Sequence, residues 1–259
     1  MKTLKPVLFV IIVFSLISVA CLASGTANDN STTTNGNEVS EEVVVEEPVQ
    51  DPKPTEEIVV EEPEVEEPAG NEPQPFYVEE FDDDLENWTY FLMSGNEDLM
   101  DLYTEDGYLV FDLEGEQQYV YVMYDPFTYE NVMVEVKTEN RGANTNNVSL
   151  VCNYTDKYGW YEFSISNGGL YYIYVYSELD GGYDILANGG SKNVITGRHE
   201  NVYTATCNGN ELALYVNGVL EYEMTDNLYN LTEGQVGFGV SSFDVLPIII
   251  YADYVAISQ

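Results

Sequence analysis

The stretch Tyr158–Ser177, YGWYEFSISNGGLYYIYVYS, constrains the fold more than any other part of the chain. Two alternating runs, WYEFSIS and LYYIYVYS, flank Asn167-Gly168-Gly169, residues that tolerate the positive φ of tight hairpin turns. Alternation at period 2 fits a strand and not a helix. The pattern recurs from Phe76 onward. Tyr108–Leu113, Gln118–Tyr124, Val132–Lys137, Val148–Tyr154 and Val202–Cys207 read as strands. A second hairpin, ELALYVNGVLEYEM, turns at Asn217-Gly218, and Gly234–Val240 and Ile248–Ile257 close the series. About a dozen strands spaced this way, without a convincing helix, predict an all-β antiparallel sandwich over 76–259. All 22 tyrosines lie between Tyr77 and Tyr254, which marks the same region as the folded part.

The first 75 residues read differently. Lys2 and Lys5 precede an apolar run from Val7 to Ala20, short for a membrane span but suited to a signal segment, 1–21. It ends Ser18-Val19-Ala20-Cys21, similar to a bacterial lipobox in which Cys21 is lipidated, although Ser18 stands where that box has Leu. Cleavage after Ala23, leaving no lipid, is the alternative. Residues 22–75 carry 15 acidic residues against Lys53 alone and repeat EEVVVEEP as EEIVVEEP. Such a segment repels itself and cannot bury a core, so it is expected to be a disordered acidic linker. The chain is therefore expected to be exported and lipid-anchored on a bacterial surface, touching the membrane only through that lipid.

Charge narrows the partners. Forty-six Asp and Glu against eight Lys and Arg give a net charge of −38, which disfavours nucleic acid and anionic lipid as direct partners. Glycans, cations and basic proteins remain. Cys152 and Cys207 form an even pair once Cys21 is set aside, and an exported chain favours their disulfide.

Several residues in order carry a family resemblance: Glu80-Phe81-Asp82 with Trp88, Gly159-Trp160-Tyr161-Glu162-Phe163, Thr206-Cys207-Asn208-Gly209, Val216-Asn217-Gly218, Gly237-Phe238-Gly239 and Tyr251-Ala252-Asp253-Tyr254-Val255. Together they resemble the concanavalin A-like lectin/glucanase superfamily, in particular its laminin-G-like and 3-keto-disaccharide hydrolase-type domains on bacterial lipoproteins. The resemblance implies a jelly roll and a sugar-related role, without fixing one activity.

Glucanases of that superfamily place carboxylates along one strand as Glu-x-Asp-x-x-Glu. The nearest match here, Glu178–Asp184, ends in Asp and contains Gly181-Gly182, so it reads as an acidic hairpin loop and not a catalytic strand. His199, the single histidine, has no nucleophile motif around it and reads as a surface or structural residue. The one candidate cofactor is a structural calcium on Asp82 and Asp253, where the termini of such a sandwich meet.

The aromatic pattern carries the functional expectation. On the hairpin, Tyr161, Phe163 and Ile165 point one way and Trp160, Glu162 and Ser164 the other. On the next strand Tyr171, Ile173 and Val175 oppose Tyr172, Tyr174 and Tyr176. With the aliphatic sets in the core, an outer polar-aromatic face remains, suited to a sugar's apolar face and hydroxyls. Trp160, Tyr172, Tyr174 and Tyr176 are expected to stack on a glycan, with Glu162 or Asn217 giving hydrogen bonds. The expected function is non-catalytic carbohydrate binding. The alternatives are a glycoside or keto-disaccharide hydrolase and a structural or protein-adhesion module.

Overall fold

The computed structural model describes residues 73–82 and 85–259. The signal segment, the lipidation site Cys21 and nearly all of the linker lie outside the described residues, as do Asp83 and Asp84.

Among the described residues, fifteen strands make two antiparallel sheets, with one short 3-10 turn at Glu97–Leu99. The first sheet holds β1 (Tyr77–Glu79), β3 (Met100–Glu105), β4 (Tyr108–Leu113), β6 (Asn131–Asn140), β11 (Glu200–Asn208), β12 (Glu211–Val216), β13 (Val219–Thr225) and β15 (Ile248–Ser258). Its order is β13-β12-β11-β6-β15-β4-β3, with β1 paired to β15 beyond the reach of β4. The second sheet holds β2 (Trp88–Ser94), β5 (Tyr119–Tyr129), β7 (Asn146–Thr155), β8 (Gly159–Ser166), β9 (Leu170–Ser177), β10 (Gly182–Gly190) and β14 (Gly234–Ser242). Its order is β10-β9-β8-β7-β14-β5-β2. The antiparallel sandwich expected from the alternation is therefore the fold.

The inward faces follow the period-2 reading. Val120, Val122, Val134, Val136, Leu150, Phe163, Ile173 and Phe238 are among the side chains that close the main core between the sheets. Both predicted hairpins form. Gly169 takes φ 87° and its N–H donates to the Ser166 carbonyl at 2.9 Å. Asn217 and Gly218 both take positive φ, 49° and 77°, the geometry whose twist matches that of the flanking strands.

The disulfide Cys152–Cys207 joins β7 to β11 and so ties one sheet to the other through the core. Its Cα atoms are 6.5 Å apart, within bridging range.

Four strands escape the sequence reading: β1, β2, β3 and β10. β2 (WTYFLMS) does not alternate cleanly, and β10 (GYDILANGG) is glycine-rich at both ends. β3 is followed by Asp106-Gly107, both at positive φ, a tight hairpin turn into β4.

Candidate functional site

Strand β8 organises the site. Its register pairs Trp160 with Tyr176, Glu162 with Tyr174 and Ser164 with Tyr172 on β9, so all six project from the outer face of the second sheet. On β7 that face carries Asn147, Ser149 and Val151, and on β5 it carries Tyr119, Tyr121 and Met123.

This face is not bare. Tyr121, Met123, Val151 and Trp160 form a second, smaller buried cluster, roofed by Phe91, Met93, Tyr119, Tyr154 and Tyr176. Trp160 is only 3% exposed: Tyr176 stacks on it with ring centroids 4.2 Å apart, and Tyr154, Phe91, Tyr121 and Tyr183 surround it within 6.2 Å. The expectation that Trp160 stacks on a ligand is thereby corrected. Its ring is scaffold, because aromatic side chains from β2, β5 and β10 fold over it. Tyr176 belongs to the same stack and does not line the neighbouring opening.

Beside the cluster the face opens into a cavity of about 210 Å³. Tyr119 and Tyr121 of β5, Glu162 and Ser164 of β8, Tyr174 of β9 and Tyr183 of β10 form most of its wall. Asn147, Ser241 and Phe243 complete it. Of the six residues expected to bind, Glu162 and Tyr174 line this cavity. Tyr172 stacks on Tyr174 next to it, with centroids 5.5 Å apart and planes 10° apart.

Asn217 does not take part. It turns β12 into β13 on the other sheet, and its amide is spent on the loops there. Oδ1 accepts from Val202 N–H at 2.8 Å, and Nδ2 donates to the Asn193 carbonyl and to Asn201 Oδ1. An Asn-Gly turn signal identifies a turn; it says nothing of the sheet on which that turn lies.

Glu162 is the unusual group. It is 4% exposed, yet its partners are all neutral. Ser149 Oγ donates to Oε1 at 2.7 Å and Tyr121 OH donates to Oε2 at 2.9 Å. Ser164 Oγ lies 3.0 Å from Ser149 Oγ and accepts from Asn147 Nδ2 at 3.0 Å, which extends the network along the cavity. Burial raises the carboxyl's pKa. The hydrogen bonds from Ser149 and Tyr121, with Tyr183 and the Trp160 indole N–H nearby, oppose that rise without cancelling it. The indole N–H makes no hydrogen bond of ordinary geometry and is left buried without a partner.

A glycine aims Tyr121. In the row Ser164–Ser149–Gly239–Tyr121 across β8, β7, β14 and β5, Gly239 leaves space beside the Tyr121 ring. A Cβ at Gly239 would sit 2.6 Å from Tyr121 Cδ1. The Gly237-Phe238-Gly239 motif thus puts one aromatic ring into the core and gives another the room to reach Glu162.

The remaining expectations fall elsewhere. Glu178–Gly181 is the turn between β9 and β10, with Ser177 Oγ bonded to Asp180 and the Asp184 carboxylate accepting from Tyr229 OH. His199 is exposed in the loop before β11. For calcium, no three His, Cys, Asp or Glu converge among the described residues. Asp253 instead holds Lys137 at 2.8 Å, so its carboxylate already has a cation. A wider depression of about 450 Å³ lies over β11–β13 on the other sheet, beside Thr206, Tyr215 and Glu223. It contains no buried charged group.

No family model and no curated protein matches the sequence. Solved structures do match in fold. The carbohydrate binding module CBM66 from Bacillus subtilis aligns with a TM-score of 0.51 and 12% identity, over 67% of this chain and 96% of the module. A Bacillus licheniformis β-glucanase aligns at 0.54 and 14% identity, over 73% of this chain and all of the enzyme chain. The catalytic domain of an endo-1,3-β-glucanase (laminarinase) from Thermotoga petrophila aligns at 0.53 and 11%, over 72% and 97%. These are concanavalin A-like jelly rolls, and that is the fold of this chain. The fold is one that hosts both carbohydrate-binding modules and glycoside hydrolases. Identities this low establish fold alone.

Proposed function

We propose that this chain is an exported, lipid-anchored protein whose β-sandwich binds carbohydrate without cleaving it. One observation carries the reading: on the outer face of the second sheet, a cavity combines tyrosine rings with a buried, hydrogen-bonded carboxylate. Rings cover the apolar face of a sugar, while Glu162, Ser164, Asn147 and Ser241 offer donors and acceptors to its hydroxyls. Residues 1–21 supply the export signal and Cys21 the anchor; the acidic linker holds the domain away from the membrane.

A hydrolase reading draws on the same Glu162, since a carboxyl with a raised pKa in a pocket suits a general acid. Two-carboxylate glycoside hydrolysis needs a second carboxyl roughly 5–10 Å away, flanking the same bond. Among the described residues, Glu162 is the sole carboxylate lining this cavity, and Ser164 follows it on the same face of β8. Binding is therefore the better-supported role.

Screening the chain on a glycan array, then titrating hits by calorimetry, tests this. Tyr183→Ala is expected to weaken binding about three- to tenfold by removing a ring from the wall. Retention on no glycan, or release of reducing ends from a bound one, would overturn the proposal.

A further inference from the structure

The cavity's charge pattern says more about its ligand than its shape does. Glu162 is more than nine-tenths buried and forms no salt bridge among the described residues; its direct partners are the hydroxyls of Ser149 and Tyr121. Among the described residues, no Lys, Arg or His lines the cavity. Aromatic rings approach the carboxylate from three strands, with Tyr119 and Tyr121 on β5, Tyr174 on β9 and Tyr183 on β10. A ring face attracts a cation through its quadrupole, and a desolvated carboxylate does so more strongly. The chain's net charge of −38 adds a field that draws cations in and holds anions out.

We propose that the saccharide taken by this cavity carries a protonated amine, the chemistry of a free hexosamine residue, with Glu162 as its counter-ion and the tyrosine rings around it. The inference rests on the carbohydrate-binding reading above. Each carboxylate oxygen of Glu162 accepts one hydrogen bond within the protein, which leaves acceptor capacity for an ammonium donor. The groups that face it are phenols that remain neutral: burial raises Tyr119 and Tyr121, and pushes Tyr174 up to about 12, while Tyr183 rises further. Among the described groups that line the cavity, the carboxylate is therefore the one that gains a proton on acidification. An amine that binds it favours its ionised form, so affinity should fall on acidification through the raised pKa of Glu162. A neutral sugar should show no such fall.

The test is calorimetric titration of the full chain, at physiological salt, with short oligosaccharides in three forms: free-amine glucosamine, N-acetylglucosamine and galacturonate. The expected result is that the free amine binds about tenfold or more tighter than its acetylated form, and that galacturonate does not bind. Glu162→Gln should erase the ratio between the first two, which separates the site from general attraction of a polycation to an acidic protein. If that variant does not fold, acetylation of the ligand probes the same contact from the other side. Equal binding of amine and acetylated forms, or an amine preference that persists in Glu162→Gln, overturns this proposal and leaves the carbohydrate reading standing. Binding of no oligosaccharide, here or on the array, overturns both.

Discussion

Replacing Trp160 separates scaffold from ligand platform. The ring is 3% exposed, stacked on Tyr176 at 4.2 Å, and enclosed by aromatic neighbours. Trp160→Ala would leave a cavity that this packed cluster cannot readily collapse into, a loss of about 3–5 kcal/mol. For a domain of this size each kcal/mol shifts Tm by about 2–4 °C, so the melt should fall by roughly 6–20 °C. Trp160→Phe keeps much of the stack and removes only an indole N–H that makes no hydrogen bond of ordinary geometry. It should therefore lose about 2 kcal/mol or less. Scanning calorimetry reads both variants. Trp88, in the main core against Phe238, stays as a fluorescence reporter of that core. Because Trp160 does not line the cavity, the Phe variant should retain glycan affinity within about threefold. A Trp160→Ala variant that melts with wild type and has lost its glycan would refute this reasoning.

Three further outcomes follow from the same structure. Glu162 has a raised folded pKa, so its contribution to stability is present at low pH and is lost as pH rises through that value; the stability of Glu162→Gln relative to wild type should rise over the same window, read from urea melts at several pH values. For Asp226, burial raises the pKa, but the Tyr161 hydroxyl and the N–H groups of Leu228, Tyr229 and Asn230 outweigh it and lower it overall. Its contribution is present above the usual aspartate pKa and is lost as pH falls below it, so Asp226→Asn should flatten the acid limb of the stability profile. Removing the Cys152–Cys207 bridge by a double alanine substitution opens a loop spanning 55 residues and should cost about 4 kcal/mol, seen as a lower Tm than the oxidised chain.

Period-2 patterning made the fold legible. It assigned the inward faces of β8 and β9 correctly and identified both Asn-Gly hairpins, because each of those residues has a local physical reason for its geometry. The same pattern separated Trp160, Glu162 and Ser164 from Tyr161 and Phe163. It could not tell what lies upon the outer face. Alternation says which way a side chain points, whereas the covering of Trp160 depends on Phe91 of β2 and Tyr183 of β10, two strands whose sequences alternate poorly. Tyr119, Tyr121 and Ser164 share the outer face with Glu162, yet their meeting around it depends on strand order, with β14 and β7 between β5 and β8. Asn217 failed as a site residue for the same reason: its hairpin lies in the other sheet.

In the proposed function a sugar sits against Glu162 on the outer face of the second sheet. Amide chemical-shift mapping of the labelled chain during titration with a bound oligosaccharide tests it most directly. Saturable shifts are expected at Glu162, Ser164, Tyr174 and Tyr183, with Thr206, Tyr215 and Glu223 of the other sheet's depression unchanged. Shifts confined to those last three residues, with the first four unmoved, would contradict it.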